Sequence, residues 1–255
     1  MSFQGLGAVV KRLLITIVFF SVAFANSLGQ GVRVATAANL QSVIGALKAD
    51  FKKRSGIAIE PIVGSSGKLV AQINNGAPFD VFLSADMDFP QALYKKGLAT
   101  KAPVAYAFGK LVICSRQNIG FANWERDLLA PVVKKIVIAN PDVAPYGVAA
   151  KEALQTQGIF DDVQSKLVFG ESIAQVNTYI TTGVVDVGFT SQALINDPAN
   201  KAKLYWQAID PKLYTPIEQG MILLNRASKN AGALKFYNYL QSADAKRIFA
   251  KYGYK

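Results

Sequence analysis

The stretch GVRVATAANLQSVIGALKADFKKRSGIAIEPIVGSSGKL, Gly31 to Leu69, changes its hydrophobic period twice. GVRVATAA reads as a strand. Leu40, Val43, Ile44, Leu47 and Phe51 then recur at the spacings of one helical face, and IAIEPIV returns to a strand. Asn39 stands where a helix N-cap belongs and Gly56 where a helix stops. A strand–helix–strand unit of this kind argues for an α/β lobe built on a mostly parallel sheet.

The same rhythm continues along the chain. Lys68 to Asn75 predicts a short helix, FDVFLSA a strand, and about Asp88 to Lys96 another helix. A second series begins near Tyr106. KLVICS and KKIVIAN read as strands, with a short helix around Trp124 to Leu129 between them. A helix from about Tyr146 to Gln157, the strand KLVFG, a helix from Ser172 to Thr182 and the strand VVDVGFTS follow. KLYWQAI and GMILLN are further strands before a terminal helical region, AGALKFYNYLQSADAKRIFAKYG. No internal repeat or low-complexity linker interrupts the order. Two lobes with a chain that crosses between them fit it; a single doubly wound sheet fits the pattern alone as well.

Ahead of this region, Lys11 and Arg12 precede the apolar run LLITIVFFSVAFA, which ends in Ala23-Phe24-Ala25. A basic start, a short apolar run and a small-x-small exit predict a cleaved secretory signal over residues 1–25 and a soluble periplasmic product. The run is shorter than the roughly 20 residues that span a bilayer. About 230 residues would remain, enough for two lobes with real cores. The net charge of +11 would lose Lys11 and Arg12, leaving roughly +9. The lysines are scattered rather than clustered with aromatics, which does not suit nucleic acid.

The chain contains one cysteine, Cys114, and no histidine. That excludes an internal disulfide, Ser-His-Asp and Cys-His catalysis, and His-containing or all-Cys zinc sites. Cys114 falls in a predicted strand, where a small buried residue is expected.

Four strand-to-helix junctions have the composition of an anion cradle: TAANLQS at Asn39, GSSGKL at Ser65 and Ser66, APYGVAAKEAL at Tyr146, and GESIAQV at Ser172 and Ile173. Ligands of open α/β sheets sit at such junctions. Helix N-termini there offer unpaired N–H groups and partial positive charge. Ser and Asn are equally the commonest caps of a helix's own donors. GSSGK is not a P-loop, because Ile62 occupies the first glycine position and Leu69 the Ser/Thr position. Glu171 weighs against an anion at the fourth junction. Lys68 reads either as a charge beside the second or as a solvated helix residue.

Three segments carry a resemblance: GAPFDVFLSAD (Gly76 to Asp86), YGVAAKEAL (Tyr146 to Leu154) and FYNYLQSADAKRIFAKYGY (Phe236 to Tyr254). They are similar to the periplasmic molybdate-binding proteins of ABC importers, the ModA family, and the likeness extends over most of the chain. It implies a two-lobed periplasmic-binding-protein fold of type II, each lobe a mostly parallel sheet flanked by helices. Lobe 1 is expected over residues 26–105, with part of 216–255 returning to it, and lobe 2 over 106–215.

The resemblance also implies a tetrahedral oxyanion, molybdate or tungstate, held by neutral donors in the interlobe cleft. Asn39 and Ser66 match binding positions. Tyr146 and Ile173 match main-chain donors, so the Tyr146 side chain is expected to be less constrained. Ala38 and Ser65 are further candidates. No cofactor and no direct protein ligand to metal are implied, molybdenum being held through its oxygens. A membrane permease of an ABC importer is the implied partner, and a monomer the implied state. Two departures stand out: Phe189 occupies a position where some members have a tyrosine that reaches the anion, and Ala38 one where some have a hydroxyl. A hinge is expected near Ala105 to Lys110 and again between about Thr215 and Gly220. A receptor for another oxyanion such as sulfate remains an alternative. So does an exported hydrolase with Ser66 as nucleophile and Lys68 as base.

Overall fold

The computed structural model describes residues 31–255, so the expected signal segment over residues 1–25 lies outside the described residues. In chain order the strands are β1 (Val32–Ala37), β2 (Ile59–Gly64), β3 (Val81–Leu83), β4 (Val104–Gly109), β5 (Leu111–Ser115), β6 (Ile136–Ala139), β7 (Leu167–Gly170), β8 (Val187–Ser191), β9 (Tyr205–Ala208) and β10 (Ile217–Leu223). The helices are α1 (Gln41–Ser55), α2 (Ser66–Asn74), α3 (Asp88–Lys95), α4 (Trp124–Asp127) and α5 (Pro145–Thr156). They continue with α6 (Phe160–Val163), α7 (Ile173–Thr182), α8 (Gln192–Ile195), α9 (Ala231–Leu240) and α10 (Ala243–Lys251).

Two five-stranded sheets share one plan, with orders β2-β1-β3-β10-β4 and β7-β6-β8-β5-β9. In the first, β1 runs parallel to β2 and β3, and β10 is antiparallel to both β3 and β4. In the second, β6 runs parallel to β7 and β8, and β5 is antiparallel to both β8 and β9. Four strands of each sheet therefore point one way and one points back, and the two-lobed α/β expectation holds. The chain passes from the first sheet to the second at Gly109 and Lys110, between β4 and β5, and returns between β9 and β10.

Local chemistry accounts for most elements. Every residue of β5, β6 and β8 is buried, which is why these strands read as unbroken apolar runs. Along β1, Val32 and Val34 join the cluster that holds Leu47, Phe51 and Phe236, whereas Ala35 joins Leu69, Phe82 and Leu93 on the other face. Val43, Ile44, Leu47 and Phe51 are the buried stripe of α1, and Gly56, at φ 72°, closes it with its N–H on the Lys52 carbonyl. Cys114 is buried in β5, and burial pushes its thiol up to about 12, leaving it unreactive.

Two local expectations need correction. Asn39 does not cap a helix: it lies inside a 3-10 turn, Ala38–Leu40, with Ala37 at the cap position. The helix expected from Lys68 begins at Ser66, with Ser65 as the extended residue before it. Both shifts bring side chains of a strand-to-helix junction inward.

The C-terminal helices return to the first sheet. Phe51 meets Phe236 and Tyr239 with ring centroids 5.1 and 5.2 Å apart, and Phe249 stands edge-on to Tyr254 at 5.7 Å. Lys255 exchanges two main-chain hydrogen bonds with Phe108 of β4, at 2.7 and 3.0 Å. The last residues are thereby fixed, and Tyr254 is held beneath the first turn after β1.

Candidate anion-binding site

Ala37, Ala38, Asn39, Ser65, Ser66 and Ala85 from the first sheet's side meet Ala144, Pro145, Tyr146 and Ile173 from the second around one small cavity. Its volume is about 10 Å³, far below the 300–1,000 Å³ or so of sites for drug-sized ligands. It suits a small ion rather than a nucleotide. Every lining segment follows the end of a strand: β1, β2 and β3 on one side, β6 and β7 on the other. All six residues expected at the site, Ala38, Asn39, Ser65, Ser66, Tyr146 and Ile173, fall on this cavity.

None of the lining residues carries a formal charge. What they offer is donors. Ser66, Tyr146 and Ile173 stand at the first or second position of α2, α5 and α7, so their N–H groups have no acceptor within the helix. Ser66 is buried, and its Oγ accepts the N–H of Ala85 at 3.1 Å. With one lone pair taken, the hydroxyl proton remains free to donate. Ser65 Oγ is buried with no partner among the described residues. Ser172 caps α7 through the Gln175 N–H at 3.4 Å, so its hydroxyl serves the helix.

A second layer of polar groups holds two of the lining residues, Asn39 and Tyr146. Asn39 Nδ2 donates to Gln219 Oε1 at 2.8 Å and to Tyr254 Oη at 3.0 Å, and Tyr254 Oη donates in turn to the Asn39 carbonyl at 2.8 Å. Both amide hydrogens of Asn39 are thus engaged, and its Oδ1 is buried without a partner among the described residues. Gln219 Oε1 also accepts from Tyr106 Oη at 3.1 Å, while Gln219 Nε2 donates to Tyr146 Oη at 3.4 Å. The Tyr146 side chain is therefore hydrogen-bonded as well as buried. Burial raises the phenols of Tyr106, Tyr146 and Tyr254 far from neutral pH, so the network carries no negative charge.

The remaining candidates fall elsewhere. Phe189 points into the core of the second lobe, edge-on to Trp124 at 5.6 Å, and does not line the cavity. Lys68 forms an ion pair with Glu171 on the opposite side of the cleft. Sequence reasoning missed Gln219, Tyr254, Tyr106 and Ala85. The signal for Gln219 was a single uncharged polar residue next to the apolar run GMILL; Ala85 and Tyr254 sat in segments already singled out for their resemblance.

This fold and a neutral, donor-lined cleft define a solute receptor, and residues 32–255 match the family model of bacterial extracellular solute-binding proteins. The chain belongs to that family. Within it, the chain is 34% identical to the molybdate-binding protein ModA of Azotobacter vinelandii over 225 residues, 88% of this chain and 89% of that protein. It is also 34% identical to the molybdate-binding protein ModA of Rhodobacter capsulatus, covering 88% of this chain and 87% of that one. The solved structure of the Azotobacter vinelandii periplasmic molybdate-binding protein superposes with a TM-score of 0.83 at 32% identity, over 88% of this chain and 98% of that one.

Proposed function

We propose that this protein binds molybdate, and tungstate with it, in the cavity between the two sheets and delivers the oxyanion to the membrane permease of an ABC importer. The observation that carries the reading is a small buried cavity ringed by main-chain and hydroxyl donors and no formal charge. A dianion satisfies every donor there without needing an acceptor. A protonated anion such as hydrogen phosphate would leave its own proton unpaired, which is costly in a buried site. Sulfate is also a dianion, and only spacing rejects it: molybdate and tungstate have longer metal–oxygen bonds, and donors set for them reach sulfate poorly. Hydrogen bonds to a charged group contribute about 1.5–3 kcal/mol each. Nanomolar binding needs about 12 kcal/mol after association costs of about 4–15 kcal/mol, so about six or more donors must converge.

The protein acts in this reading as a monomeric periplasmic receptor, freed of residues 1–25 and without catalytic activity. The described residues through Gly109, with those of β10 and the C-terminal helices, form the first lobe, and those from Lys110 through β9 the second. Closure occurs by rotation about the two crossing segments. An ammonium ion-paired with a carboxylate is a poorer general base than a free lysine, so the pairing of Lys68 with Glu171 weighs against the hydrolase alternative. Isothermal titration of the purified protein with molybdate, tungstate, sulfate and phosphate in separate runs tests the proposal. Tight one-to-one binding of the first two and silence from the others is expected. Equally tight sulfate binding would keep the receptor and overturn the ligand.

A further inference from the structure

We infer that Lys68 and Glu171 are a latch that fastens the cleft over the bound ion, so that Lys68 sets how long the anion is held. The inference rests on reading the cavity as an anion site. Lys68 lies in the first turn of α2, two residues after Ser66, and Glu171 lies two residues before Ile173 at the start of α7. The ion pair therefore ties together two of the helix N-termini that line the cavity, one from each lobe. Both side chains are about half exposed, which places the pair at the rim and not among the donors.

A second contact closes the same seam. The N–H of Gly67 donates to the carbonyl of Val143 at 3.0 Å, and Val143 precedes α5, which carries Tyr146. Gly67 permits this approach: a β-carbon there would stand 3.0 Å from Val143 Cα and 3.3 Å from the Phe89 ring. The second-lobe loops before α5 and α7 are thus each held to one turn of α2.

The pair has an electrostatic task as well. A bare carboxylate at Glu171, beside the first turn of α7, would oppose a dianion in the cavity. Lys68 neutralises it and so leaves the site's donors unopposed. Two charges that each read as anomalous beside an anion site explain one another. Removing Lys68 alone should cost more than removing both, because only the single variant leaves Glu171 uncompensated.

The test is stopped-flow and calorimetric titration of molybdate on the wild type, Lys68→Ala, Lys68→Ala/Glu171→Ala and the charge swap Lys68→Glu/Glu171→Lys. An exposed ion pair is worth about 0–1 kcal/mol, so the double variant should bind about threefold more weakly. Lys68→Ala should lose about tenfold, chiefly through faster dissociation. The swap should return to within about threefold of wild type. Dissociation from the wild type should quicken with added salt, and that from the double variant should not. A wild type that binds while Lys68→Ala is unchanged, or a swap no better than Lys68→Ala, overturns the latch alone. A wild type that binds none of molybdate, tungstate or sulfate overturns the anion reading and the latch with it.

Discussion

The hydroxyl of Tyr254, next to the last residue, donates to the carbonyl of Asn39 at 2.8 Å and accepts Asn39 Nδ2 at 3.0 Å. The end of the chain thereby braces the turn that leaves β1 and enters the cavity wall. Tyr254→Phe keeps the packing on Phe249 and removes both bonds. It should cost about 1–3 kcal/mol of stability and weaken molybdate binding about tenfold, measured by urea unfolding and by titration.

Ser66 Oγ accepts the Ala85 N–H, which leaves its proton free to donate into the cavity. Ser66→Ala should lose about 1.5–3 kcal/mol of binding, the value of a hydrogen bond to a charged group. It should also lower stability, since Ala85 N–H loses its acceptor. Paired titration and thermal unfolding separate the two effects. Undiminished affinity would remove Ser66 from the site.

Gly109 ends β4 where the chain crosses between the sheets. A β-carbon at this position would run into the Tyr146 hydroxyl and stand 2.7 Å from Gln219 Nε2. Gly109→Ala should therefore fold but close incompletely, with a larger radius of gyration in the presence of molybdate and at least tenfold weaker binding. Small-angle scattering with and without the ion reads this directly.

Asp86 is pushed up to about 6 from its usual 3.8, chiefly by burial, with the Phe89 N–H and Ser84 hydroxyl opposing and Asp88 adding a little. Between those two values the folded state binds more proton than the unfolded chain, so this group lowers stability as pH rises through them. Asp86→Asn keeps an acceptor for both donors. It should match wild type near pH 4 and exceed it by about 1–2 kcal/mol at pH 7, a discount from the full shift for partial exposure. Unfolding midpoints across that range check it.

Phe189 packs in the second lobe's core. Phe189→Tyr should add no donor to the cavity and leave molybdate affinity unchanged. Burying an unpaired hydroxyl there should cost about 1–3 kcal/mol of stability.

Much of the fold is legible in the sequence, because α1 and the strands beside it are periodic over long runs and end on a glycine with the backbone that a helix stop requires. The placement of β10 between β3 and β4 is not, since it depends on pairing between segments far apart in the chain. The site divides the same way. The starts of α5 and α7 announce the free N–H groups of Tyr146 and Ile173 through local composition, whereas α2 begins two residues before its predicted start. The role of Asn39 does not follow from its neighbours: a local rule makes it a cap, while Gln219 and Tyr254, 180 and 215 residues away, take its side chain instead. Lys68 and Glu171 are likewise visible as charges but not as a pair, because only the folded cleft brings α2 and α7 together.

The most direct measurement is anomalous diffraction at the molybdenum edge from crystals grown with molybdate. One strong peak inside the cavity, within hydrogen-bonding reach of Ser66 Oγ and the N–H groups of Tyr146 and Ile173, is the predicted result. A peak on surface lysines, or none in the cleft, would contradict the account.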